Sequence, residues 1–326
     1  MIRSRIIGTG SYLPEKVLTN QDLAKKIETS DQWIQGRTGI RERRIASDKE
    51  AASDLAVAAA QRALEMAQLR AADLDLIIVG TGTPDMLFPS TACLVQDRIG
   101  ASRAFAFDLS AACSGFLYAL SVGDQYIRTG SARTALIIGS EVMSMLMDWT
   151  DRSTCILFGD GAGAVVLRAQ RSRRGILSTH LHSEGSLWDL ICVPGGGSRF
   201  PPSKETLEKR LNFLKMKGNE TFKVAVRTLE ETAREALEAN QCTTEDLDLV
   251  IPHQANLRII RSVAQRLGIP MGKMVVNLQN YGNTSAASIP IALDEAVRTN
   301  RVKEGHLILL EAFGGGLTWG SALIRW

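Results

Sequence analysis

The sequence predicts an α/β protein of two duplicated halves, with mixed, mainly parallel sheets covered by helices. The chain has 326 residues, enough for two domains of roughly 150 residues each. Residues 63–78 (ALEMAQLRAADLDLII) match residues 236–251 (ALEANQCTTEDLDLVI) without gaps, at a spacing of 173. Predicted strands and helices also alternate along the chain, which is typical of parallel sheets. We therefore place the halves at 1–172 and 173–326; a chance match between two helix–turn–strand units is the alternative.

Hydrophobic periodicity predicts the elements of each half in order. The first half is predicted to contain strands at 2–8, 74–80, 104–109, 134–139 and 155–168, and helices at 53–68, 90–99 and 114–129. The second half is predicted to contain helices at 220–239, 255–267 and 285–299, and strands at 247–252, 273–277, 306–312 and 317–325. The Gly- and Pro-rich stretch 193–203 is predicted to be a loop. The basic segment after it is predicted to be an exposed, mobile helix or excursion rather than part of the core.

Composition excludes several classes of protein. Hydrophobic residues make up 45% and charged residues 22%, which favours a globular chain over a disordered one. The net charge of +3 is too small to indicate nucleic-acid binding. Because no long apolar run and no signal-peptide pattern occurs, we expect neither a membrane span nor secretion.

The cysteines and glycines exclude several cofactors. The five cysteines lack a C-x-x-C pair, which argues against a disulfide scaffold and a zinc site and favours a reducing cytoplasm. The glycine-rich stretches GDGAGA (159–164) and VGTGTP (79–84) have neither the dinucleotide-binding nor the P-loop spacing. We therefore expect no metal and no redox cofactor.

Cys113 is the first candidate for chemistry. It lies in FDLSAACSGFLYAL, where a buried strand runs through a turn of small residues into a helix. A thiol at a helix N-terminus lies at the positive end of the helix dipole, which favours the thiolate. The alternative is a buried structural cysteine, the commoner role of a free thiol.

His253 and Asn283 are the second and third candidates. His253 ends the buried run LDLVIP, and polar groups of open α/β sheets gather at the carboxyl ends of the strands. Asn283 lies in NYGNTSAAS before a predicted helix, and at a spacing of 170 it corresponds to Cys113. In a duplicated fold these two helix starts would face each other. This predicts a Cys–His–Asn set, whereas a core histidine and a helix cap are the alternatives.

Two further patterns accompany these residues. The glycines of FGGGLTWG (313–320) let backbone N–H groups approach a ligand closely, as in an oxyanion hole, although a tight bend would also need them. Residues 249–293 contain no Asp or Glu, while Arg258 and Arg261 share one face of the predicted helix 255–267. This basic patch favours an anionic partner.

Six segments, in order along the chain, resemble β-ketoacyl-acyl-carrier-protein synthase III, the initiating condensing enzyme of bacterial fatty-acid synthesis. They are WIQGRTGIRERR, DLSAACSGF, FGDGAGA, HQAN, NYGNTSAAS and FGGGLTWGSAL. The resemblance implies the thiolase fold, with two duplicated halves in a layered α-β-α-β-α core, and a homodimer. It also implies a decarboxylating Claisen condensation of a short acyl-coenzyme A (CoA) with malonyl-acyl-carrier protein. The products would be a 3-oxoacyl-carrier protein, CO2 and CoA, with no cofactor beyond the CoA thioester substrate.

The same resemblance implies roles for individual residues. Cys113 would accept the acyl group, and His253 and Asn283 would serve decarboxylation. The N–H groups of Cys113 and Gly315 would form the oxyanion hole. The residues implied to contact CoA are Trp33, Arg37, Arg152, Phe222, Ala225 and Asn256.

Three more residues are assigned by resemblance. Gln254 and Arg258 would contact the carrier protein, and Phe88 would close the acyl pocket across the dimer. Because Phe88 is bulky, a short primer is expected. Residues 193–219 differ from some relatives, so the resemblance does not fix how wide the entrance of the CoA tunnel is.

Three alternatives differ in class. A polyketide-type or long-chain-primed synthase would use the same three residues. A cysteine hydrolase shares the order Cys, His, Asn, but the papain signature is missing around Cys113. A non-catalytic carrier-protein or CoA-binding module would not require the full set.

Overall fold

The computed structural model describes residues 2–326. Its strands are β1 (Ile2–Tyr12), β2 (Lys16–Thr19), β3 (Glu42–Ile45), β4 (Leu76–Gly80), β5 (Phe105–Leu109), β6 (Thr134–Glu141), β7 (Gly161–Arg171), β8 (Gly175–Ser183), β9 (Ile191–Cys192), β10 (Lys215–Met216), β11 (Leu249–Pro252), β12 (Leu307–Gly314) and β13 (Thr318–Arg325). Its α-helices are α1 (Asn20–Ala24), α2 (Asp31–Thr38), α3 (Ala52–Ala67), α4 (Thr91–Ile99), α5 (Gly115–Arg128), α6 (Lys204–Glu208), α7 (Gly218–Ala239), α8 (Leu257–Leu267), α9 (Leu278–Tyr281) and α10 (Ser288–Arg298).

Two larger sheets carry the same topology. The first has the order β1-β7-β6-β4-β5, and the second has the order β8-β13-β12-β11. Each contains a parallel pair, β4 with β6 and β11 with β12, followed by antiparallel neighbours. The chain crosses from one sheet to the other between Arg171 and Gly175. The fifth strand of the first sheet corresponds to a single bridge, Val250 with Met274, beside β11.

The two sheets also match in sequence position, at a spacing of 173. β1 and β8 begin 173 residues apart, as do β4 and β11, β6 and β12, and α5 and α10. Cys113 therefore corresponds to Ala286, and Asn283 corresponds to Ser110. The spacing of 170 that paired Cys113 with Asn283 is wrong, because the matching helix starts keep the register of the repeat at 63–78 and 236–251.

Three hydrophobic cores stack the elements into five layers. Leu55 on α3 and Val95 on α4 belong to the core on the outer face of the first sheet. Leu120 on α5 and Leu293 on α10 belong to the core between the sheets. Leu229 on α7 and its neighbours on α8 belong to the core that covers the second sheet. This α-β-α-β-α arrangement confirms the predicted fold class.

One glycine brings the start of α10 directly against the first sheet. A Cβ atom on Gly139 of β6 would lie 2.3 Å from the carbonyl oxygen of Ala286. Only a residue without a side chain allows this approach. The segment that precedes α10 therefore lies against the carboxyl end of β6, where the candidate site forms.

The elements differ from prediction at several places, and short elements such as β2, β3, α1 and α2 were not predicted. Residues 155–160 form turns before β7, and Phe158 there bridges to Asn283. Residues 273–277 form no regular strand beyond the single bridge at Met274. The strand β8 was not predicted, because its sequence GILSTHLHS mixes polar and apolar residues. Its strand conformation is stabilised by antiparallel pairing with β13. Within residues 2–326, no helix combines the length and the apolar character needed to cross a membrane.

Candidate active site

The three predicted catalytic side chains meet in one cavity of about 600 Å³. Cys113, His253 and Asn283 all line it, and Gly315 contributes to the same wall. Cys113 follows β5, His253 follows β11, and Asn283 precedes α10. The cavity is thus built where the carboxyl ends of strands from both sheets converge.

A tight turn holds Cys113 in front of α5. Ala112 has a left-handed backbone, with φ of +45°, which is costly for a residue with a side chain. The turn is tied to the β12–β13 hairpin, since Ser114 Oγ donates to the Thr318 carbonyl at 3.0 Å and Thr318 Oγ1 donates to the Ala111 carbonyl at 2.9 Å. The second sheet therefore fixes the position of the cysteine that the first sheet supplies.

The environment of Cys113 keeps its thiol protonated, contrary to the sequence expectation. Burial above all, together with the negative charge of Glu141, raises the pKa of Cys113 to about 12, against a lowering hydrogen bond from Ser285. Loss of hydration outweighs the helix N-terminus, whose influence is of the order of 1 kcal/mol. A proton acceptor is therefore required before the sulfur can attack.

Hydrogen bonds set the proton on His253. Its Nδ1 lies 2.6 Å from Ser288 Oγ, which also accepts the Gln254 N–H at 3.3 Å. Ser288 Oγ has no other acceptor within residues 2–326, so its hydroxyl donates to Nδ1 and the ring proton sits on Nε2. Burial lowers the pKa of His253 to about 4. The imidazole is therefore a neutral donor at neutral pH.

Asn283 is oriented by its own backbone and that of its neighbours. Its N–H donates to the Leu157 carbonyl at 2.8 Å, and its carbonyl accepts the Gly159 N–H at 3.0 Å. Its Oδ1 accepts the Ser285 N–H at 2.8 Å. The side-chain amide nitrogen remains as the donor group.

The glycines after β12 lie against the Cys113 backbone. A Cβ atom on Gly314 would approach the Cys113 nitrogen to 2.7 Å. Gly315 lines the cavity beside Cys113. The absence of side chains here lets two backbone segments share one wall, as an oxyanion hole requires.

In the outer part of the cavity, arginine side chains lie against aromatic rings. The guanidinium carbons of Arg37 and Arg152 lie 4.7 and 5.0 Å from the Trp33 ring centroid. The Arg258 guanidinium lies 5.5 Å from the Phe222 ring. Asn256 also lines the cavity and donates to the Arg37 carbonyl at 3.2 Å. This entrance can hold an aromatic group and negative charge together.

Two predicted contacts lie elsewhere. Gln254 is only 1% exposed, and its amide bonds the backbone at Pro252, Val275 and Asn277. It holds the strand end that carries His253 and presents nothing to a carrier protein. Ala225 is buried in the core under α7 and is not part of the cavity wall.

Phe88 also lies outside the cavity of its own chain. It is 83% exposed, beside Leu87, which is 87% exposed. Its predicted place was the pocket of a second copy.

Two polar cavity residues close to Cys113, Glu141 and Ser285, were missed by the sequence reasoning. Glu141 ends β6 and is fully buried. Ser285 Oγ lies 3.4 Å from Cys113 Sγ. An acidic residue closing the apolar run TALIIGSE, at the same sheet edge as the candidates, was the available signal for Glu141. Ser285 stood inside the quoted segment NYGNTSAAS without being singled out.

Comparison with known proteins identifies the family. Residues 107–185 match the model of 3-oxoacyl-[acyl-carrier-protein] synthase III, and residues 237–326 match its C-terminal model. The chain is 57% identical to β-ketoacyl-[acyl-carrier-protein] synthase III of Xylella fastidiosa, with 100% of this chain and 99% of that protein aligned. It superimposes on 3-oxoacyl-[acyl-carrier-protein] synthase III of Aquifex aeolicus with a TM-score of 0.93 and 52% identity, over 99% and 100% of the two chains.

A related enzyme class lies further away. The priming β-ketosynthase of a polyketide pathway gives a TM-score of 0.92 at 37% identity, with 99% of this chain and 96% of that chain covered. Identity over the full chain is thus higher for the Xylella fastidiosa and Aquifex aeolicus proteins than for this ketosynthase. The chain therefore belongs to the β-ketoacyl-acyl-carrier-protein synthase III family of condensing acyltransferases.

Proposed function

We propose that this enzyme joins a short acyl-CoA to malonyl-acyl-carrier protein by decarboxylating Claisen condensation, the initiating step of fatty-acid synthesis. The observation that carries the proposal is the convergence of Cys113, His253 and Asn283 on one cavity, at whose mouth Trp33 lies close to two arginines. The products are a 3-oxoacyl-carrier protein, CO2 and CoA.

The first half-reaction is transfer of the acyl group to Cys113. The sulfur attacks the thioester carbon, and the negative charge on the oxygen is stabilised by the N–H groups of Cys113 and Gly315. The tetrahedral intermediate collapses and expels CoA as its thiolate, which takes a proton from water. Because both N–H groups belong to backbone held by the β12–β13 hairpin, little reorganisation accompanies the reaction.

The second half-reaction is decarboxylation and carbon–carbon bond formation. His253 Nε2–H and the Asn283 amide donate to the malonyl thioester carbonyl. Cleavage of the bond to the carboxylate releases CO2 and leaves its electron pair as an enolate, which the two neutral donors stabilise. The enolate carbon attacks the acyl-Cys113 carbonyl, and the thiol leaves. We expect no metal or redox cofactor in either step.

The cavity mouth is proposed to bind both substrate carriers. An adenine ring would stack on Trp33, and Arg37 and Arg152 would face the phosphates. Asn256 and Phe222 would line the path of the pantetheine arm. Arg258, at the same mouth, is proposed to attract the acidic carrier protein.

We propose a homodimer with Phe88 closing the partner's acyl pocket. Met86, Leu87 and Phe88 are 47%, 87% and 83% exposed, a consecutive apolar surface that a monomer rarely keeps in water. The edge strand β5 is paired only with β4, although parallel sheets are normally covered. A second copy would cover both. All five cysteines are free, which supports a reducing cytoplasm as the location.

Mass spectrometry of the intact protein after exposure to acyl-CoA thioesters tests the acyl-transfer step. We expect one added acyl group, located on Cys113 by peptide mapping, and none in Cys113→Ser. A Cys113→Ser variant that condenses at the normal rate would remove Cys113 as the nucleophile.

Primer length separates this function from the alternative of a polyketide-type or long-chain-primed synthase. Phe88 favours a short primer, so acetyl-CoA is expected to give a higher kcat/KM than dodecanoyl-CoA. A preference for the longer chain would favour the alternative, which the 37%-identical priming ketosynthase keeps open.

A further inference from the structure

The cavity contains a buried carboxylate to which the mechanism above gives no role. Glu141 is the only acidic side chain among the described residues that line the cavity, and its exposed fraction is 0%. Its position is rigid, because the Gly82 N–H donates to it at 3.1 Å and Thr83 Oγ1 donates at 2.6 Å. A charge taken out of water costs several kcal/mol unless something uses or neutralises it.

Ser285 connects this carboxylate to the nucleophile. Its Oγ lies 2.9 Å from Glu141 Oε1 and 3.4 Å from Cys113 Sγ. A hydroxyl has one proton to donate, so it donates to one neighbour while accepting from the other. With Glu141 ionised, the chain of donors runs from the Cys113 S–H through the Ser285 hydroxyl to the carboxylate.

The backbone around Ser285 is held in an unusual shape that aims its side chain. Its φ is +50°, a left-handed value that a non-glycine residue adopts only at a cost. Ala112, its counterpart 173 residues earlier, has φ of +45°. Cys113 thus directly follows the left-handed residue of the first turn, and Ser285 is itself the left-handed residue of the second turn. Their side chains are in contact.

We infer that Ser285 relays the Cys113 proton to Glu141 when the sulfur attacks the acyl donor. The inference rests on the proposed function and adds the proton acceptor for its first step. The S–H bond of Cys113 breaks as its electron pair attacks, the proton moves to Ser285 Oγ, and the Ser285 proton moves to Glu141. When the acyl group later leaves the sulfur, the same path returns the proton.

Charge conservation favours this path over proton transfer to His253. Transfer to Glu141 moves one negative charge from oxygen to sulfur within a buried site. Transfer to His253 would create a thiolate and an imidazolium from two neutral groups, which burial opposes. The pKa of about 4 for His253 also makes it a weak acceptor, whereas burial raises the pKa of Glu141.

Few other ionisable groups face Cys113, Ser285 and Glu141. Thr81, Gly82 and Thr83 after β4 and the start of α10 offer only uncharged donors to Glu141. The remaining titratable residues of the cavity wall are Arg37, Arg152, Cys192, His253 and Arg258. Glu141 is the charged group that acts on the pKa of Cys113.

The pH profile of Cys113 alkylation by iodoacetamide tests the relay without any acyl donor. While Cys113 and Glu141 share one proton, the fraction with thiolate and carboxylic acid does not depend on pH. The wild-type rate is therefore expected to be flat between about pH 6 and pH 8, where a lone thiol would gain about tenfold per pH unit. Peptide-resolved mass spectrometry follows Cys113 separately, and exposed Cys93 in the same sample serves as the reference thiol for the reagent.

Variants assign the flat profile to its cause. Glu141→Gln removes the shared proton and is expected to convert the flat profile to a rise of about tenfold per pH unit. Ser285→Ala keeps both titrating groups and therefore the flat profile, but loss of the proton path is expected to slow acyl capture by about a hundredfold. This variant decides if Glu141→Gln does not fold. His253→Gln is expected to keep the flat profile.

Three results would overturn the relay. One is a flat profile retained in folded Glu141→Gln, and another is acyl capture at the wild-type rate in Ser285→Ala. The third is a flat profile lost in His253→Gln alone, which would make the imidazole the acceptor. Each of these results leaves acyl capture by wild-type Cys113 intact as evidence for the proposed function. Conversely, if Cys113 captured no acyl group from acyl-CoA, the pH profile of its alkylation could still be measured.

Discussion

His253 Nδ1 and Ser288 Oγ lie 2.6 Å apart, and this contact decides which imidazole nitrogen can donate into the cavity. The same serine oxygen accepts a hydrogen bond from the Gln254 N–H. The hydroxyl proton is thereby directed to Nδ1, so Nε2 carries the ring proton. A residue at the start of α10 thus sets the protonation of a residue at the end of β11.

Replacing Ser288 by Ala is expected to slow condensation while sparing acyl capture. Loss of the hydroxyl lets both imidazole tautomers form, and a lost hydrogen bond of about 1–2 kcal/mol corresponds to roughly a tenfold lower condensation rate. Single-turnover reaction of the preformed acyl-enzyme with malonyl-carrier protein measures it. Ser121→Ala, which removes a hydroxyl contact of 2.7 Å to Thr179 outside the cavity, is the control. Equal slowing by both substitutions would refute the tautomer role.

Asn283→Ala is expected to impair decarboxylation far more than acylation. The amide donates to the malonyl carbonyl, and removal of one such donor costs about a hundredfold in rate. CO2 release from malonyl-carrier protein and CoA release from acetyl-CoA report the two steps separately. Asn240→Ala removes a hydrogen-bonded amide on another surface, where Nδ2 contacts Ser178, and should leave both steps unchanged. If Asn283→Ala lowers both rates equally, the division of labour is wrong.

Gly314→Ala is expected to slow acyl capture strongly without unfolding the protein. The new methyl group would meet the Cys113 nitrogen at 2.7 Å and its Cβ at 2.9 Å, so the oxyanion N–H must shift. A displaced oxyanion donor costs about a hundredfold or more. Gly272→Ala, where no atom lies within 4 Å of the new Cβ, is the matched control. Normal acylation in Gly314→Ala would show that the wall is not rigid.

Glu311 should make the protein less stable at alkaline pH. It is fully buried in β12, both carboxylate oxygens lack a hydrogen-bond partner within residues 2–326, and burial raises its pKa to about 8. The folded state therefore keeps a proton that the unfolded chain releases at the ordinary, lower pKa. Its contribution to the free energy of unfolding is fully present below the ordinary pKa and falls by up to about 5 kcal/mol as the pH rises to 8.

Glu311→Gln removes this titration. Denaturant unfolding at acidic and alkaline pH should show the variant gaining stability relative to wild type as the pH rises. Glu65→Gln, on the exposed side of α3, controls for loss of a negative charge. A wild type and a Glu311→Gln variant with parallel pH dependence would contradict the buried neutral carboxyl.

The repeat at 63–78 and 236–251 predicted the duplicated architecture because both copies keep one register through helix, turn and strand. The strands at 155–160 and 273–277 were wrong because apolar runs there are buried by contacts with distant segments rather than by sheet pairing, as Phe158 with Asn283 illustrates. Local periodicity carries no record of such contacts.

Part of the candidate site could also be predicted from the sequence, and part could not. Cys113, His253 and Asn283 follow strands or precede helices, so their positions at one sheet edge could be anticipated. The contact of Ser285 with Glu141 joins residues 144 positions apart and depends on a left-handed turn, which no local pattern encodes. The family resemblance implied that Gln254 contacts the carrier protein, whereas its amide is hydrogen-bonded to the backbone at Pro252, Val275 and Asn277.

The crossing between Arg171 and Gly175 has a practical consequence. A polypeptide severed there would leave the sulfur on one fragment and the imidazole, the amide and Gly315 on the other. Even the first acyl transfer needs backbone from both pieces, so neither fragment alone can be acylated efficiently. Recovered labelling of the sulfur in a mixture of the fragments would then report their reassembly, which makes this chain a candidate for a split-protein sensor.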